Sequence, residues 1–337
     1  MNWYLQNGKD SDVVLSSRIR LARNIEGVPF TTKASENECK KVFEMMKEIS
    51  FSLGYGLKFV DMSSLDKISK EALAEKHLIS QPFAKSTKKY RAIIINDEEN
   101  ICIEINGEDH IKLQTFCSGV DLQNLLALAV EIDKKIETSI QYSYHSQYGY
   151  LTACPTNVGT GLKASVLVHL PALYLTKSIR KFLNAINNFG MSVTGLYGEG
   201  TKVQGDIYQI ANNQTLGITE NEIVKNLNVI TQKVVEQEKS ARTYLANKSI
   251  KLEDKVYRDF GILTNARKLG EEETLELISN VKLGTDLGII QELDDAKVSK
   301  IILYSKSANL QKYLGQDLNL YDQEIERAKL IKQILSE

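Results

Sequence analysis

The sequence predicts an α+β protein: an antiparallel sheet flanked by helices, followed by an all-α C-terminal domain. Three observations lead there. Ala92–Ile95 and Ile101–Ile105 are short apolar runs separated by Asn96-Asp97-Glu98-Glu99-Asn100, the pattern of two strands joined by a hairpin loop. Apolar residues recur near helical period over 36–53 and 120–140. From Leu252 to Glu337 the chain is charged, helix-forming and poor in strand signals.

The elements follow in order. If the segment Val13-Val14-Leu15-Ser16-Ser17-Arg18-Ile19-Arg20-Leu21-Ala22-Arg23-Asn24 is extended, Arg18 and Arg20 point to the same face. Glu36 to Leu53 carries Val42, Phe43, Met46, Ile49 and Leu53 on one helical stripe. Val120 to Ile140 does the same with Leu122, Leu125, Leu126, Ala129, Ile132 and Ile136. Val166–Leu170 and Gly205–Ile210 read as strands. Thr219 and Glu222 have capping-box spacing and open a long amphipathic helix. The change of character after Asn247 places a boundary there, giving domains 1–247 and 248–337.

Bulk properties narrow the function. The chain has 337 residues, 42% hydrophobic and 25% charged, with a formal net charge of −1. No global basic field invites nucleic acid or an anionic membrane. Cys39, Cys102, Cys117 and Cys154 lack CxxC spacing, so neither a zinc site nor a disulfide framework is expected. The N-terminus has no signal-peptide core, and no run of about 18 apolar residues offers a membrane span. A reducing cytoplasmic setting fits.

Four segments could carry chemistry. Paired guanidinium forks at Arg18 and Arg20 suit phosphate oxygens, though a solvated basic edge strand would look the same. Ile105-Asn106-Gly107-Glu108-Asp109-His110 places carboxylates where a strand ends; a polar turn is the plainer reading. His110 has no partner at ligand spacing. Cys154-Pro155-Thr156-Asn157-Val158-Gly159-Thr160-Gly161-Leu162-Lys163-Ala164-Ser165-Val166 is a turn-forming run whose backbone N–H groups could approach an anion. Thr194-Gly195-Leu196-Tyr197-Gly198-Glu199-Gly200 could fold over a ligand, or be a tight turn; it does not fit a P-loop.

Together and in order, these segments resemble the signatures of the phosphagen kinases, the ATP:guanidino phosphotransferases, from about Ser11 to Asn247. The chain is most similar to the bacterial protein arginine kinases. Glu75-Lys76-His77-Leu78-Ile79-Ser80 resembles that branch, the N-terminal helical domain of creatine kinases is missing, and a helical C-terminal extension is present.

The resemblance implies transfer of the γ-phosphoryl of MgATP to an arginine side chain in a protein. It implies Glu108 as catalytic base and Glu199 as the second guanidinium-binding carboxylate. It assigns the nucleotide to Ser16, Ser17, Arg18, Ile19, Arg20, His77, Lys112, Lys163, Ala164, Ser165, Val166, Leu167, Thr194, Gly195, Leu196, Tyr197, Gly198 and Glu199. Magnesium is implied to be held mainly by phosphates and water, with no protein metal site. Cys154 occupies the family's reactive-cysteine position, though a packed, inert thiol is the ordinary fate of free cysteine. A homodimer, an activator partner, protein substrates with exposed arginine, and a link to stress response and the Clp chaperone–protease system are implied too.

The departures matter as much. Lys112, Lys163 and Thr194 stand where the family has arginine, and Gly107 where it usually has glutamate. Lysine keeps charge but loses the bidentate fork; threonine loses both. An arginine on a transferring phosphoryl can be worth roughly 10³–10⁵ in rate. At the C-terminus, Gln323-Glu324-Ile325-Glu326-Arg327-Ala328 matches a phosphoarginine-binding motif whose leading arginine is absent. The sequence therefore leaves two readings: an active protein arginine kinase, or a weakened or inactive relative serving as a nucleotide-binding, regulatory interaction protein.

Overall fold

The computed structural model describes residues 2–195, 203–246, 249–291 and 293–336. Strand β1 (Val14–Arg23) alternates: Ile19 and Leu21 are fully buried, while Arg18 and Arg20 point the other way. It is followed by α1 (Glu36–Ser50), β2 (Lys58–Asp61), α2 (Lys67–Glu75) and α3 (Gln81–Lys85). Next come β3 (Ala92–Ile95), β4 (Ile101–Ile105), β5 (Ile111–Ser118) and α4 (Leu122–Glu137). A small hairpin, β6 (Tyr144–His145) and β7 (Gly149–Tyr150), precedes β8 (Leu162–His169), α5 (Pro171–Leu175), α6 (Ile179–Asn188), β9 (Met191–Thr194) and β10 (Ile207–Asn212).

Among the described residues the main sheet has eight strands in the order β2-β3-β4-β5-β1-β8-β10-β9, and every pairing is antiparallel. The expected hairpin is there in register, with Ile94 opposite Ile103. β1 is central, paired on both edges, so its two arginines lie mid-sheet.

One face is covered by α1, α4 and α7 (Glu220–Ala246). Capping boxes open α1 at Ser35/Glu38 and α7 at Thr219/Glu222. The opposite face carries a smaller cluster: Leu73, Leu78, Phe83 and Ala84 of the α2–α3 segment lie on Ile93, Cys102 and Phe116. Among the described residues, Arg18 and Arg20 on that face line a cleft.

Helices α8 (Ser249–Asn265), α9 (Glu271–Asp286), α10 (Asp295–Tyr304), α11 (Ser307–Leu314) and α12 (Leu320–Ser336) enclose a second core around Val256, Ile278, Val281, Ile301 and Ile331. The seam between the cores is polar. Glu238 accepts the Ala172 and Leu173 N–H groups that open α5, and Glu75 accepts the Ala308 and Asn309 N–H groups of α11. Among the described residues no helix is long and apolar enough to cross a membrane.

Two strands differ from the sequence reading. The strand expected at Val166–Leu170 begins at Leu162, and that expected at Gly205–Ile210 is Ile207–Asn212. Lys163 and Ser165 are polar because they face a cleft, and this hid half of β8 from an apolar-run criterion. β5 escaped for the same reason, since Lys112 and Gln114 interrupt its apolar pattern.

Candidate active site

The cleft floor is built by strand register. Arg20 on β1 faces Gln114 on β5 and Lys163 on β8; Arg18 faces Phe116 and Ser165; Lys112 sits opposite Ala22. β10 and β9 add Gln209 and Thr194, themselves paired. Arg18, Arg20, Lys112, Gln114, Lys163, Thr194 and Gln209 line a cavity of about 340 Å³ whose walls include His77, Glu108, Cys154 and Asn157. A smaller recess continues past Ser16, Arg18 and His77 to Trp3, Phe116 and Leu167.

The floor is strongly cationic. Arg18 donates to Ser165 Oγ at 3.3 Å and to Gln209 Oε1 at 3.1 Å, both uncharged acceptors. Burial and the neighbouring Arg20 lower its pKa to about 9, so its charged form is held without full compensation. Lys112 is buried and its pKa is lowered by desolvation, against the pull of Glu104 at 2.5 Å. His77, in a left-handed backbone conformation (φ 61°), has its pKa pushed down to about 3 by desolvation and by Arg18 and Lys306, so its imidazole is neutral. Such a floor matches a polyphosphate, whose anionic oxygens bring negative charge to a cationic surface.

Glu108 is exposed at the cleft rim, at the turn between β4 and β5. That turn is fixed from below. Thr31 Oγ donates to the Glu108 carbonyl; Asp109 accepts from Asn24 Nδ2 at 2.6 Å and the Ala153 N–H at 2.7 Å. His110 is buried, accepts from the Ile25 N–H at Nδ1, and contacts the Pro29 carbonyl through Nε2. Its two neighbours fix the Nε2–H tautomer and account for this histidine structurally.

The Cys154–Gly161 run is not the backbone cradle its composition suggested. The Gly159 N–H donates to Tyr150 O, Thr160 N–H to Thr215 O and Leu162 N–H to Thr160 Oγ. A Cβ on Gly159 would lie 2.2 Å from Thr215 O, and one on Gly161 2.6 Å from Ala22 O. Both glycines serve close backbone packing. What reaches the cleft is the side chain of Lys163, with Cys154 on the wall, its Sγ 3.0 Å from Thr156 Oγ.

The nucleotide residues expected from sequence divide by face. Arg18, Arg20, His77, Lys112, Lys163 and Thr194 line the cleft, and Ser16, Ser165 and Leu167 its recess. Ser17, Ile19, Ala164 and Val166 are buried on the opposite side; Ser17 donates to Gly119 O, and Ile19, Ala164 and Val166 are in the main core. Gly195 closes β9, whereas Leu196, Tyr197, Gly198 and Glu199 lie outside the described residues. The C-terminal quartet lines no part of the cleft. Arg327, 2% exposed, donates to Ser305 O, Leu269 O and Ser307 Oγ, and Ala328 is buried beside it. Gln323 donates to Leu318 O and Glu324 pairs with Lys268. Sequence reasoning missed Glu104, Gln114 and Gln209. Glu104 left a signal: a carboxylate inside the apolar strand Ile101-Cys102-Ile103-Glu104-Ile105.

The chain is similar to known proteins. Residues 36–241 match the ATP:guanido phosphotransferase C-terminal catalytic domain, and residues 249–337 the protein-arginine kinase McsB C-terminal domain. The protein-arginine kinase of Halothermothrix orenii is 43% identical, covering 98% of this chain and 95% of its own length. That of Bacillus subtilis is 41% identical, covering 99% and 93%. Among solved structures, a lombricine kinase superposes with a TM-score of 0.59 at 25% identity, over 70% of this chain and 69% of that one. A duplicated taurocyamine kinase from Schistosoma mansoni, with bound transition-state-analogue components, gives 0.63 at 25% identity over 70% and 34%. The chain belongs to the ATP:guanido phosphotransferase family, and its nearly full-length likeness to protein-arginine kinases places it in that branch.

Proposed function

We infer that this chain transfers the γ-phosphoryl group of ATP to the guanidinium of arginine side chains in proteins. The observation that carries this reading is one cleft with a carboxylate, Glu108, exposed at its rim and four cations, Arg18, Arg20, Lys112 and Lys163, along its floor. The naming of its relatives as protein-arginine kinases supports it.

A guanidinium has a pKa above 12 and attacks poorly while protonated. Glu108 orients the planar fork and takes a proton as the P–N bond forms. The bond between the γ-phosphorus and the bridging oxygen breaks, and ADP leaves with that electron pair. The floor stabilises charge on the transferring phosphoryl and the departing diphosphate. Glu199 is assigned the second guanidinium contact by family resemblance. Among the described residues no group of three or more His, Cys, Asp or Glu is placed to hold a metal ion. By family resemblance, magnesium would accompany the phosphates and add charge neutralisation there.

The same reading divides the chain into a catalytic domain, 1–247, and a helical dimerisation and regulatory domain, 248–337. It extends to a cytoplasmic homodimer, an activator protein and the Clp stress and proteolysis system. A second reading, a nucleotide-binding pseudokinase, draws on Thr194, whose hydroxyl brings no charge and bonds to Gly195 O.

Incubation with MgATP and an arginine-rich protein, followed by mass spectrometry under conditions that preserve acid-labile phosphoarginine, tests the first reading. The native chain yields phosphoarginine and Glu108→Gln does not. No product from the native chain, with activity appearing when Lys112, Lys163 and Thr194 are all replaced by arginine, establishes the second.

A further inference from the structure

Lys112 does not stand alone in the floor. On the adjacent strand, directly across the β4–β5 ladder, lies Glu104, which is fully buried. Its Oε1 takes the Lys112 ammonium at 2.5 Å and the Ser80 backbone N–H at 3.0 Å. Its Oε2 has no hydrogen-bond partner. A buried carboxylate with an empty lone-pair side is costly, so something must hold it in place. The surroundings do. A Cβ at Gly107 would lie 3.1 Å from Oε2 and 3.4 Å from the Phe83 ring, so a side chain there would press on both. Gln114 makes a second tie, donating to Leu78 O at 2.7 Å. The segment that carries His77 is thus anchored twice to the floor.

We propose that Glu104 is a positioning residue: through one oxygen it fixes both the Lys112 ammonium and the Ser80 backbone, and so presents Lys112 to the phosphates of a bound nucleotide. The proposal rests on the reading of the cleft as an ATP site. Lysine is a flexible point charge where a guanidinium would be a preorganised fork; a buried counter-ion supplies the missing orientation. Protein kinases use a lysine–glutamate pair to the same end.

The groups facing Lys112 define how it titrates. Arg18 and Arg20 approach from β1 and Lys163 shares the cavity from β8; Glu104 and the buried thiol of Cys102 face it from β4. Desolvation and the two arginines lower the Lys112 pKa, and Glu104 opposes them. Removing Glu104 therefore moves deprotonation of Lys112 to lower pH.

The test compares Glu104→Gln with the native chain. Lys112 is followed by NMR with lysine 13C label in the ligand-free protein, and ATP binding by calorimetry at neutral pH and near pH 9. In Glu104→Gln, Lys112 titrates at lower pH and ATP binds at least about tenfold more weakly at the alkaline pH, the loss of one charged hydrogen bond. Adding Lys112→Arg restores alkaline binding, because a guanidinium in the same place gives up its proton at higher pH than an ammonium. An unmoved Lys112 titration, or equal loss at both pH values with no rescue by arginine, overturns the proposal. If Glu104→Gln does not fold, Glu104→Met with Lys112→Met removes both charges in an apolar match. That variant carries no charge at position 112 and should bind ATP more weakly than the native chain by a similar factor at both pH values; native-like affinity at neutral pH overturns the proposal. A native chain that binds no ATP refutes the function above, while the NMR titration still decides the role of Glu104.

Discussion

Two regions of this molecule bury clustered cations, and they treat them in opposite ways. At the seam between the cores, Arg242 meets Glu238 at 3.0 Å, Asp286 at 3.1 Å and the Asp12 carbonyl at 3.1 Å. Lys282 pairs with Asp286 and Asp295, and Lys306 with Glu271. On the cleft floor, Arg18 has neutral acceptors among the described residues, and Glu104 is the buried carboxylate beside Lys112. Similar side chains therefore do different things. Cations matched by carboxylates hold two bodies together; Arg18, bonded to a hydroxyl and an amide, keeps its charge available for an anion from outside.

Mutations can break that contrast. The largest expected effect is on the floor. Arg18→Ala should lower phosphoryl transfer by roughly 10³-fold or more while leaving the thermal midpoint unchanged or raised, since a desolvated, repelled charge is removed. A variant that melts several degrees lower yet retains its rate would make Arg18 a structural cation like those of the seam. Next comes Arg242→Ala, which takes the arginine from buried Glu238 and leaves Asp286 to Lys282. A cost of about 3–5 kcal/mol is expected in denaturant unfolding, with ATP affinity of the folded fraction preserved. Loss of ATP affinity with intact stability would invert the assignment.

The smallest effect is a pH dependence at the seam. His169 is buried, with Nε2 at 2.8 Å from Ser279 Oγ and Nδ1 without a partner. Desolvation, aided by Lys282 and Arg242, depresses its pKa well below the usual value. The unfolded chain takes up a proton below about pH 6.5, while the folded chain does not. Stability present above that pH is therefore lost as pH falls. His169→Asn cannot titrate, so its acid limb should be shallower by up to about 1.4 kcal/mol per pH unit. His77 and His110 also have depressed values and maintain part of the limb. An unchanged slope, measured by urea unfolding at several pH values, would remove His169 from the account.

Much of the fold could be read from local pattern. The Ala92–Ile105 hairpin, the stripes of α1 and α4 and the capping box of α7 each depend on residues a few positions apart. The site was legible where it sat on motifs: Arg18, Arg20, Glu108 and Lys163 all reach the cleft. It failed where motif neighbours alternate faces, as with Ile19, Ala164 and Val166, whose side chains enter the core. It failed again for the glycines of the Cys154–Gly161 run, whose tight contacts are with Thr215 and Ala22, distant in sequence.

The sequence by itself determined the family, the helix and strand periods, and the replacement of arginine by lysine at 112 and 163. Those facts are local, set by residue type and short spacing. The tertiary structure alone decided what each charge does. Glu104 and Lys112 are eight positions apart and Arg242 and Asp286 forty-four, yet only folding brings them within hydrogen-bonding distance. Whether a buried cation is neutralised or left for a ligand depends on which carboxylates share its low-dielectric surroundings. Strand register and domain docking set that neighbourhood, so the lysines and arginines of the cleft and of the seam differ in role while looking alike in sequence.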